Sequence, residues 1–378
     1  MNQKSIAKVN PKLLKWARKQ CGFTYEEAAG SYVNHKKLQK VEKGVDFLTF
    51  NQFINLANKY GRPPSFFYLD HIPKKALIKD FRTSSSQEVK YTPKLIKNII
   101  KVKEKRNFAI EYKFYDKQYD YSYVDSITLN SNIIDVADQI LELLKINLKI
   151  RLSWKDKYYA LKEWIKAIER IGILVFQLSN INTEEMRAFS ISEIPYPVIA
   201  LNRGDSPFGR IFSLIHELCH IMLKEGGLCI YEHPNEEHYE IEKFCNAVAG
   251  EFLVPEKSLL NQSFILKHKT SEVWDNNELN KLSKIYWVSN EVILRRLLTL
   301  NYTTKDFYRK KITKKKTPPS VKTFGDYGYK KVLRTNSPNF IKIVLNAMYD
   351  REIPMTDVSY YLSMSLKYFN DLSDNFKI

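Results

Sequence analysis

Two histidines and a glutamate interrupt an apolar segment in the middle of the chain. The segment R-I-F-S-L-I-H-E-L-C-H-I-M-L places His216, Glu217 and His220 in the pattern H-E-x-x-H. Positions i and i+4 of a helix lie on one face, so both imidazoles can reach one metal ion, and the adjacent carboxylate can reach a water on that ion. This is the residue set of a zinc hydrolase. The pattern therefore predicts zinc ligands at His216 and His220 and a catalytic general base at Glu217.

The surroundings of these polar side chains favour a metal site over a chance match. The flanking positions are apolar: Ile211, Phe212, Leu214, Ile215, Leu218, Ile221 and Met222. Such a helix is expected to be buried on almost every side, where histidine and glutamate without partners would be costly. A metal ion supplies the partners. The alternative is a pair of histidines hydrogen-bonded within the core.

A catalytic zinc ion usually has three protein ligands, so one more ligand must come from elsewhere. No third histidine stands at the spacing of the metzincin motif. Spacing alone does not choose among the acidic residues downstream, which are Glu225, Glu232, Glu236, Glu237, Glu240 and Glu242. In a predicted helix from about 237 to 253, Glu242 shares a face with small residues suited to packing on the H-E-x-x-H helix: Cys245, Asn246 and Ala249. His233 and His238 are predicted to be loop or surface residues.

The elements around the motif are predicted to be mostly helices with one small sheet. Three apolar runs of strand length, G-I-L-V-F-Q-L, R-A-F-S-I-S and Y-P-V-I-A-L-N, lie between 172 and 202 and predict three strands. Helical patterns occupy about 97–115, 131–146 and 153–170, and further helices follow the motif. We therefore predict an α+β fold that is mostly helical.

The first 70 residues show short helices joined by tight turns. Thr24 and Glu27 form a predicted capping box, Asn34 a second N-cap, and Gly44 a helix stop. Such a pattern is what a helix-turn-helix unit requires. Along the chain we predict four segments: a helix-turn-helix domain at 1–70, a connector with a helix at 71–130, a metal-site domain at 131–310 and a small helical unit at 321–378.

The bulk composition bounds the class of protein. A chain of 378 residues is expected to hold two or three domains, and its net charge of +18 favours contact with nucleic acid or another anionic surface. A lysine-rich composition of the kind that AT-rich coding produces is the plainer explanation of that charge. The four cysteines are scattered and form no C-x-x-C pair, and Cys219 and Cys245 are expected to be buried small hydrophobes.

The sequence also bears on location. The first residues, M-N-Q-K-S-I-A-K-V-N-P-K, lack the apolar core of a signal peptide. No apolar run approaches the ~20 residues that span a membrane. We expect a cytoplasmic protein with no membrane partner.

The H-E-x-x-H segment, taken together with E-I-E-K-F-C-N-A-V-A-G-E-F-L-V-P, resembles the ImmA/IrrE family of zinc metallopeptidases. The family pattern E-x-x-A-N-x-F-A implies that Glu242 is the third zinc ligand and that Asn246 supports the site from just outside the ligands. Cys245 and Val248 depart from that pattern at packing positions, as does Cys219 in the first motif. Upstream, K-D-F-R-T (Asp80, Phe81 and Arg82) and A-F-S-I-S-E-I-P-Y-P-V-I-A-L-N also resemble the family, so the resemblance covers most of 71–300 and implies a zincin-like domain.

The N-terminal segment resembles the XRE, or Cro/repressor-type, helix-turn-helix. The framework residues that match are Ala28, Val33, Leu38, Glu42 and Gly44. Tyr32 replaces the usual turn glycine, which makes a left-handed backbone less comfortable there. The recognition helix would run from about His35 to Val41, and its predicted DNA contacts are His35, Lys36, Lys37, Gln39 and Lys40, since lysine suits phosphate and glutamine can read adenine.

The two resemblances together imply a zinc-dependent endopeptidase coupled to a DNA-binding domain. Its cofactor would be Zn²⁺, and its protein partner a repressor or similar transcription regulator that it cleaves. The main alternative is a DNA-binding regulator, of antitoxin-like type, whose zinc site is not proteolytic. Hydrolysis of a non-peptide substrate is a third possibility, because the motif does not define the scissile bond.

Overall fold

The computed structural model describes residues 5–72, 92–225, 236–267, 273–313 and 328–376. In the first part of the chain lie β1 (Ile6–Ala7), α1 (Pro11–Gln20), α2 (Tyr25–Ala29), α3 (His35–Glu42), β2 (Leu48–Thr49), α4 (Phe50–Tyr60) and α5 (Pro93–Glu111). The middle contains α6 (Ile133–Leu144), α7 (Leu148–Leu152), α8 (Lys157–Arg170), β3 (Leu174–Leu178), β4 (Ala188–Ile191), β5 (Val198–Asn202), α9 (Pro207–Met222) and α10 (Glu236–Leu253). There follow α11 (Glu256–Leu260), α12 (Ser263–Lys267), α13 (Asn276–Tyr286), α14 (Asn290–Thr299), α15 (Lys305–Thr313), α16 (Tyr329–Thr335), α17 (Pro338–Tyr349), α18 (Met355–Leu362) and α19 (Phe369–Phe376).

The chain folds into two compact units. Unit 1 consists of residues 1–117 together with 326–378, and unit 2 of residues 118–325. Unit 2 is therefore inserted in the sequence of unit 1. The helices of 328–376, predicted as a separate C-terminal unit, belong to the same compact unit as the N-terminal helices. The boundaries of the four predicted segments stay predictions.

The N-terminal helices of unit 1 begin at side-chain caps that the sequence predicts. The Thr24 hydroxyl accepts from the amide of Glu27 at 3.2 Å, and the Glu27 carboxylate accepts from the amide of Thr24 at 2.9 Å. Asn34 caps α3 by accepting from the amide of Lys36 at 2.9 Å. In the turn between α2 and α3, Gly30 takes the positive φ of +49° and Tyr32 does not. The bulky residue therefore needs no left-handed backbone, and the turn is compatible with this sequence.

A buried ion pair joins α1 to α3. Arg18 donates from Nε to Oε1 of Glu42 at 2.8 Å and from Nη2 to Oε2 at 3.1 Å. Its third donor, Nη1, reaches the carbonyl of Phe23 at 2.8 Å. Because both side chains are buried away from water, each charge is stabilised mainly by the other.

We expect Arg18→Met to destabilise unit 1 by about 3–5 kcal/mol, because it leaves the Glu42 carboxylate buried without a counter-ion. Adding Glu42→Leu to that variant should restore much of the loss. Urea denaturation followed by circular dichroism measures both changes, with Lys19→Met at the exposed neighbouring position as the control. A single variant no less stable than the double variant would contradict the pairing.

Unit 2 contains the small sheet, and the prediction of three strands within a mostly helical α+β fold is confirmed. The strand order is β3-β5-β4, with β3 parallel and β4 antiparallel to the central β5. Every residue of β5 is buried, as expected of a central strand covered on both faces. Helix α9 packs on β4 and β5, and α10 packs on α9 and α6. The fold is zincin-like, with the motif helix lying against the sheet.

None of the helices formed by the described residues combines the length and the apolar character that crossing a membrane requires.

Candidate metal centre

Helix α9 carries the H-E-x-x-H motif and begins at a well-formed cap. The Ser206 hydroxyl accepts from the amide of Gly209 at 3.0 Å, and Pro207 occupies the first turn, where its missing N–H costs nothing. Gly209 allows a close approach, since a Cβ there would lie 2.3 Å from Oδ2 of Asp205. From Leu214 to Met222 every residue is buried, which confirms the predicted burial of the motif. The motif side chains are thus held in a rigid, dry helix.

The predicted ligands converge on one point. His216 and His220, one turn apart on α9, have their Nε2 atoms 3.1 Å apart. Glu242 of α10 places Oε2 3.2 Å from Nε2 of His216 and Oε1 3.2 Å from Nε2 of His220. Among the described residues, these three form the group of histidine, cysteine and acidic side chains able to hold a metal ion.

The geometry and the donor types both fit zinc. With Zn–N and Zn–O bonds of about 2.0–2.1 Å, two ligands of a tetrahedral ion lie ~3.3 Å apart. The two Nε2 atoms lie 3.1 Å apart, and each lies 3.2 Å from a different oxygen of Glu242; with one ligand atom taken from each residue, all three lie within 4.8 Å of one another. Two imidazoles and one carboxylate are also a ligand set of catalytic zinc, in which a fourth position stays open. The residues present therefore fit the ion that the sequence predicts.

Glu217 lies beside the ligands without being one of them. Its side chain is 1% exposed, and Oε2 has no hydrogen-bond partner among the described residues. A buried carboxylate oxygen without a partner is costly, and such groups are characteristic of sites whose partner is a reactant. The position agrees with a base that acts on a molecule bound at the three ligands.

The three predicted ligands affect one another's protonation through their hydrogen bonds. Burial disfavours the charged imidazolium of His220, but the hydrogen bond to Glu242 and the nearby carboxylates outweigh burial and raise its pKa to about 8. For Glu242, burial favours the neutral acid, but the hydrogen bonds of the two histidines outweigh burial and hold the pKa of the carboxyl well below its ordinary value. At neutral pH the metal-free site therefore keeps a proton that a metal ion must displace.

This coupling predicts the pH dependence of zinc affinity. Because the pKa of His220 is about 8, the observed zinc affinity should rise about tenfold per pH unit from pH 6 to pH 8 and level off above. Without metal, the folding stability that comes from the contact between His220 and Glu242 has the opposite pH trend. This contribution is fully present below the ordinary histidine pKa of 6.5 and is lost as the pH rises through about 8. Zinc titrations against a chromophoric chelator between pH 6 and pH 9 test the first trend, and a flat profile would contradict it.

Two arginines that sequence reasoning missed anchor the helix of the third ligand. Arg151 donates to the C-terminal carbonyls of α10, from Nη1 to Leu253 at 2.8 Å and from Nη2 to Phe252 at 3.0 Å. Arg296 donates from Nε to the carbonyl of Val254 at 3.1 Å and pairs with Glu251. These contacts satisfy carbonyls that end a helix without partners, and cations there are favoured by the helix dipole. The C-terminal end of the helix that carries Glu242 is therefore fixed from two sides.

Asn202 fixes the turn that leads from the sheet into α9. It is fully buried, donates from Nδ2 to the carbonyls of Ile181 and Met186 at 3.1 and 2.7 Å, and accepts from the amide of Gly204 at 2.8 Å. The local sequence N-x-G after a strand is a turn signal that could have identified it. Arg151 had no such signal, because its partners lie more than 100 residues away in sequence.

Among the described residues, the other sequence candidates are not part of the ligand group. Glu225 and His238 are exposed, and Glu240 is exposed and pairs with Lys243 at 3.2 Å. Asn246 is exposed one turn after Glu242, so its predicted support of the ligands stays a prediction. Cys219 and Cys245 are fully buried, as expected. Outside the described residues lie Asp80, Phe81, Arg82, Glu232 and His233, along with the side chains of Glu236 and Glu237.

The predicted DNA-contacting residues lie on α3. Lys36 and Lys40 are exposed, while His35, Lys37 and Gln39 are half-buried. The Lys37 ammonium also lies 3.5 Å from Oε1 of Gln52 on α4. Two of the five residues are thus exposed to solvent, and the DNA contacts stay a prediction.

Comparison with known families points to the same part of the chain. Residues 168–298 match the family model of the IrrE N-terminal-like domain, a peptidase family. A search of curated proteins finds no significant match. The matched segment spans less than half of the 378 residues and contains β3 to β5, α9 and α10. The match supports a metallopeptidase of the ImmA/IrrE type in the part of the chain that holds His216, Glu217, His220 and Glu242.

Proposed function

We propose that unit 2 is a zinc-dependent endopeptidase that cleaves a protein substrate, a repressor or similar transcription regulator. The observation that carries the proposal is the meeting of the two Nε2 atoms and the Glu242 carboxylate, with contacts of 3.1–3.2 Å, beside the buried carboxylate of Glu217. A site that only bound metal would have no use for that carboxylate. The intact base therefore favours hydrolysis over a purely structural zinc site.

The residues divide the work of peptide hydrolysis. His216, His220 and Glu242 would hold Zn²⁺, which when bound supplies a Lewis acid and lowers the pKa of water at its open position. Glu217 takes the proton of the attacking water on its carboxylate and passes it to the leaving amine. Its burial keeps bulk water away from the carboxylate. The apolar wall of α9 holds the carboxylate in place between the two transfers.

The sheet offers a place for an extended substrate. Among the described strands, β4 pairs with β5 alone, and all four of its residues are buried, so a substrate strand would require this outer edge to become accessible. β4 also packs directly against α9. An extended peptide added to this edge by strand pairing would run beside the helix that carries the ligands. A regulator with an extended, accessible segment is the substrate class that suits such an edge.

Cleavage of a defined regulator tests this proposal. The full chain with one equivalent of Zn²⁺ is incubated with small helix-turn-helix repressors, beginning with one encoded beside its own gene, and products are identified by mass spectrometry. We expect a discrete cut that a chelator abolishes and added zinc restores. Zinc bound at one ion per chain with no cleavage of any tested repressor would favour the non-proteolytic alternative.

We also propose that the helices of 5–72 bind DNA through α3. The exposed Lys36 and Lys40, together with the net charge of +18, support phosphate contacts. Unit 1 would then bring the peptidase to a DNA-bound substrate and raise its local concentration. A gel shift with the DNA upstream of the gene, repeated with Lys36→Ala and Lys40→Ala, tests this. Absence of any shift at low salt would rule out the assignment.

A further inference from the structure

Unit 1 contains several buried hydrogen-bond donors that have no partner in the part of the chain that the structure describes. The Arg62 side chain is 2% exposed, and its Nε and Nη2 have no hydrogen-bond partner among the described residues. Tyr360 of α18 is 3% exposed, and its hydroxyl likewise lacks a partner there. Buried polar groups in folded proteins nearly always have partners, so each such group calls for one.

Two lysines of α5 add positive charge at the same place. Lys97 and Lys101, four residues apart, share one face of the helix. The ammonium of Lys101 lies 5.2 Å from the ring centre of Tyr360, and none of the described carboxylates pairs with it. Burial, together with the like charges of Lys97 and Lys331, lowers the pKa of Lys101 to about 7. A second cation beside a half-buried lysine is unfavourable unless an anion lies between them.

The acidic side chains nearby already have partners. Glu104, one turn after Lys101, pairs with Nη1 of Arg62 and so neutralises that guanidinium. Asp357 of α18 is hydrogen-bonded to Ser65. None of these carboxylates is therefore left to pair with Lys97 or Lys101, and the nearby buried groups without partners, Nε and Nη2 of Arg62 and the Tyr360 hydroxyl, can donate hydrogen bonds.

We propose that Lys97, Lys101, Arg62 and Tyr360 form a binding site for a small phosphate-type oxyanion between α5 and α18. A dianion would neutralise the two lysines and accept from the free guanidinium N–H groups and the tyrosine hydroxyl. The burial of Arg62 and Tyr360 limits the ligand to a free ion or to the terminal phosphate of a small metabolite. Because α5 follows the N-terminal helices and α18 belongs to the C-terminal ones, the bound anion would hold the two parts of unit 1 together.

Isothermal titration of the full, zinc-loaded chain with inorganic phosphate at constant ionic strength tests the site. We expect one phosphate per chain, with affinity reduced about tenfold in Lys101→Met and less in Tyr360→Phe. Lys94→Met, at an exposed position of the same helix, is the matched control and should bind like the wild type. His216→Ala should also bind normally, which excludes phosphate bound at the metal. Glycerol phosphate in a parallel titration separates the two sources: tighter binding than phosphate indicates a metabolite, weaker binding the free ion.

Thermal unfolding separates a ligand site from a structural lysine. Without phosphate, Lys101→Met should unfold at the wild-type temperature or above it, because it removes a like-charge contact. Phosphate should raise the unfolding temperature of the wild type and leave that of Lys101→Met unchanged. Wild-type protein that shows no saturable phosphate binding, or Lys101→Met that binds phosphate as tightly as wild type, would overturn the proposal.

Discussion

Glu217→Gln is expected to lower peptidase activity by about 10²–10⁴-fold while zinc content stays at one ion per chain. The amide has the shape of the carboxylate but cannot take a proton at neutral pH. Glu217 is not among the three ligands, so the ion has no reason to leave. The measurements are the rate of substrate cleavage and the zinc content of the same preparation.

The structure also predicts the stability of this variant. Glu217 is 1% exposed, and glutamine has nearly the same shape and volume, so the packing around this position should be kept. Its unfolding temperature should therefore stay close to that of the wild type, which separates a catalytic loss from misfolding. Glu225→Gln, at the exposed end of the same segment, is the control and should keep full activity. Cleavage that survives in Glu217→Gln with metal retained would show the proposed mechanism to be wrong.

The second large effect is the loss of zinc affinity when a predicted ligand is changed. Glu242→Gln is expected to weaken zinc binding by more than the ~10–100-fold seen when residues outside the ligands are changed. The variant loses the negative charge and one of the two oxygens that lie 3.2 Å from the Nε2 atoms. Competition against a chelator of known affinity measures the change, and proteolysis should fall with zinc occupancy and recover partly at high zinc.

The control for Glu242 is its neighbour Glu240 on the same helix. Glu240 is exposed and pairs with Lys243, so Glu240→Gln should leave zinc affinity unchanged. In Glu242→Gln, His220 also loses the hydrogen bond that raises its pKa, so the pH at which zinc affinity levels off should fall below 8. Equal zinc affinity in the Glu240 and Glu242 variants would remove Glu242 from the ligand set.

The local sequence pattern was sufficient to predict much of the metal centre. The i and i+4 spacing of His216 and His220 on an apolar helix determines that their side chains share one face, because a helix repeats every 3.6 residues. The same reasoning placed the three strands and the capping box at Thr24, all confirmed by the structure. These features depend on neighbours within a few residues, which the sequence contains directly.

Features that depend on contacts between residues far apart in sequence were decided by the tertiary structure. Spacing left six acidic residues as candidates for the third ligand, and the packing of α10 on α9 brings Glu242 to the histidines. Arg151, 102 residues from Leu253, fixes that helix by contacts that no local pattern encodes. The union of residues 326–378 with the N-terminal helices is likewise a matter of packing. By itself the sequence determined the H-E-x-x-H motif and the helix that carries it. The approach of Glu242 to the two histidines required the fold, because burial and long-range contacts arise only when separate segments pack together.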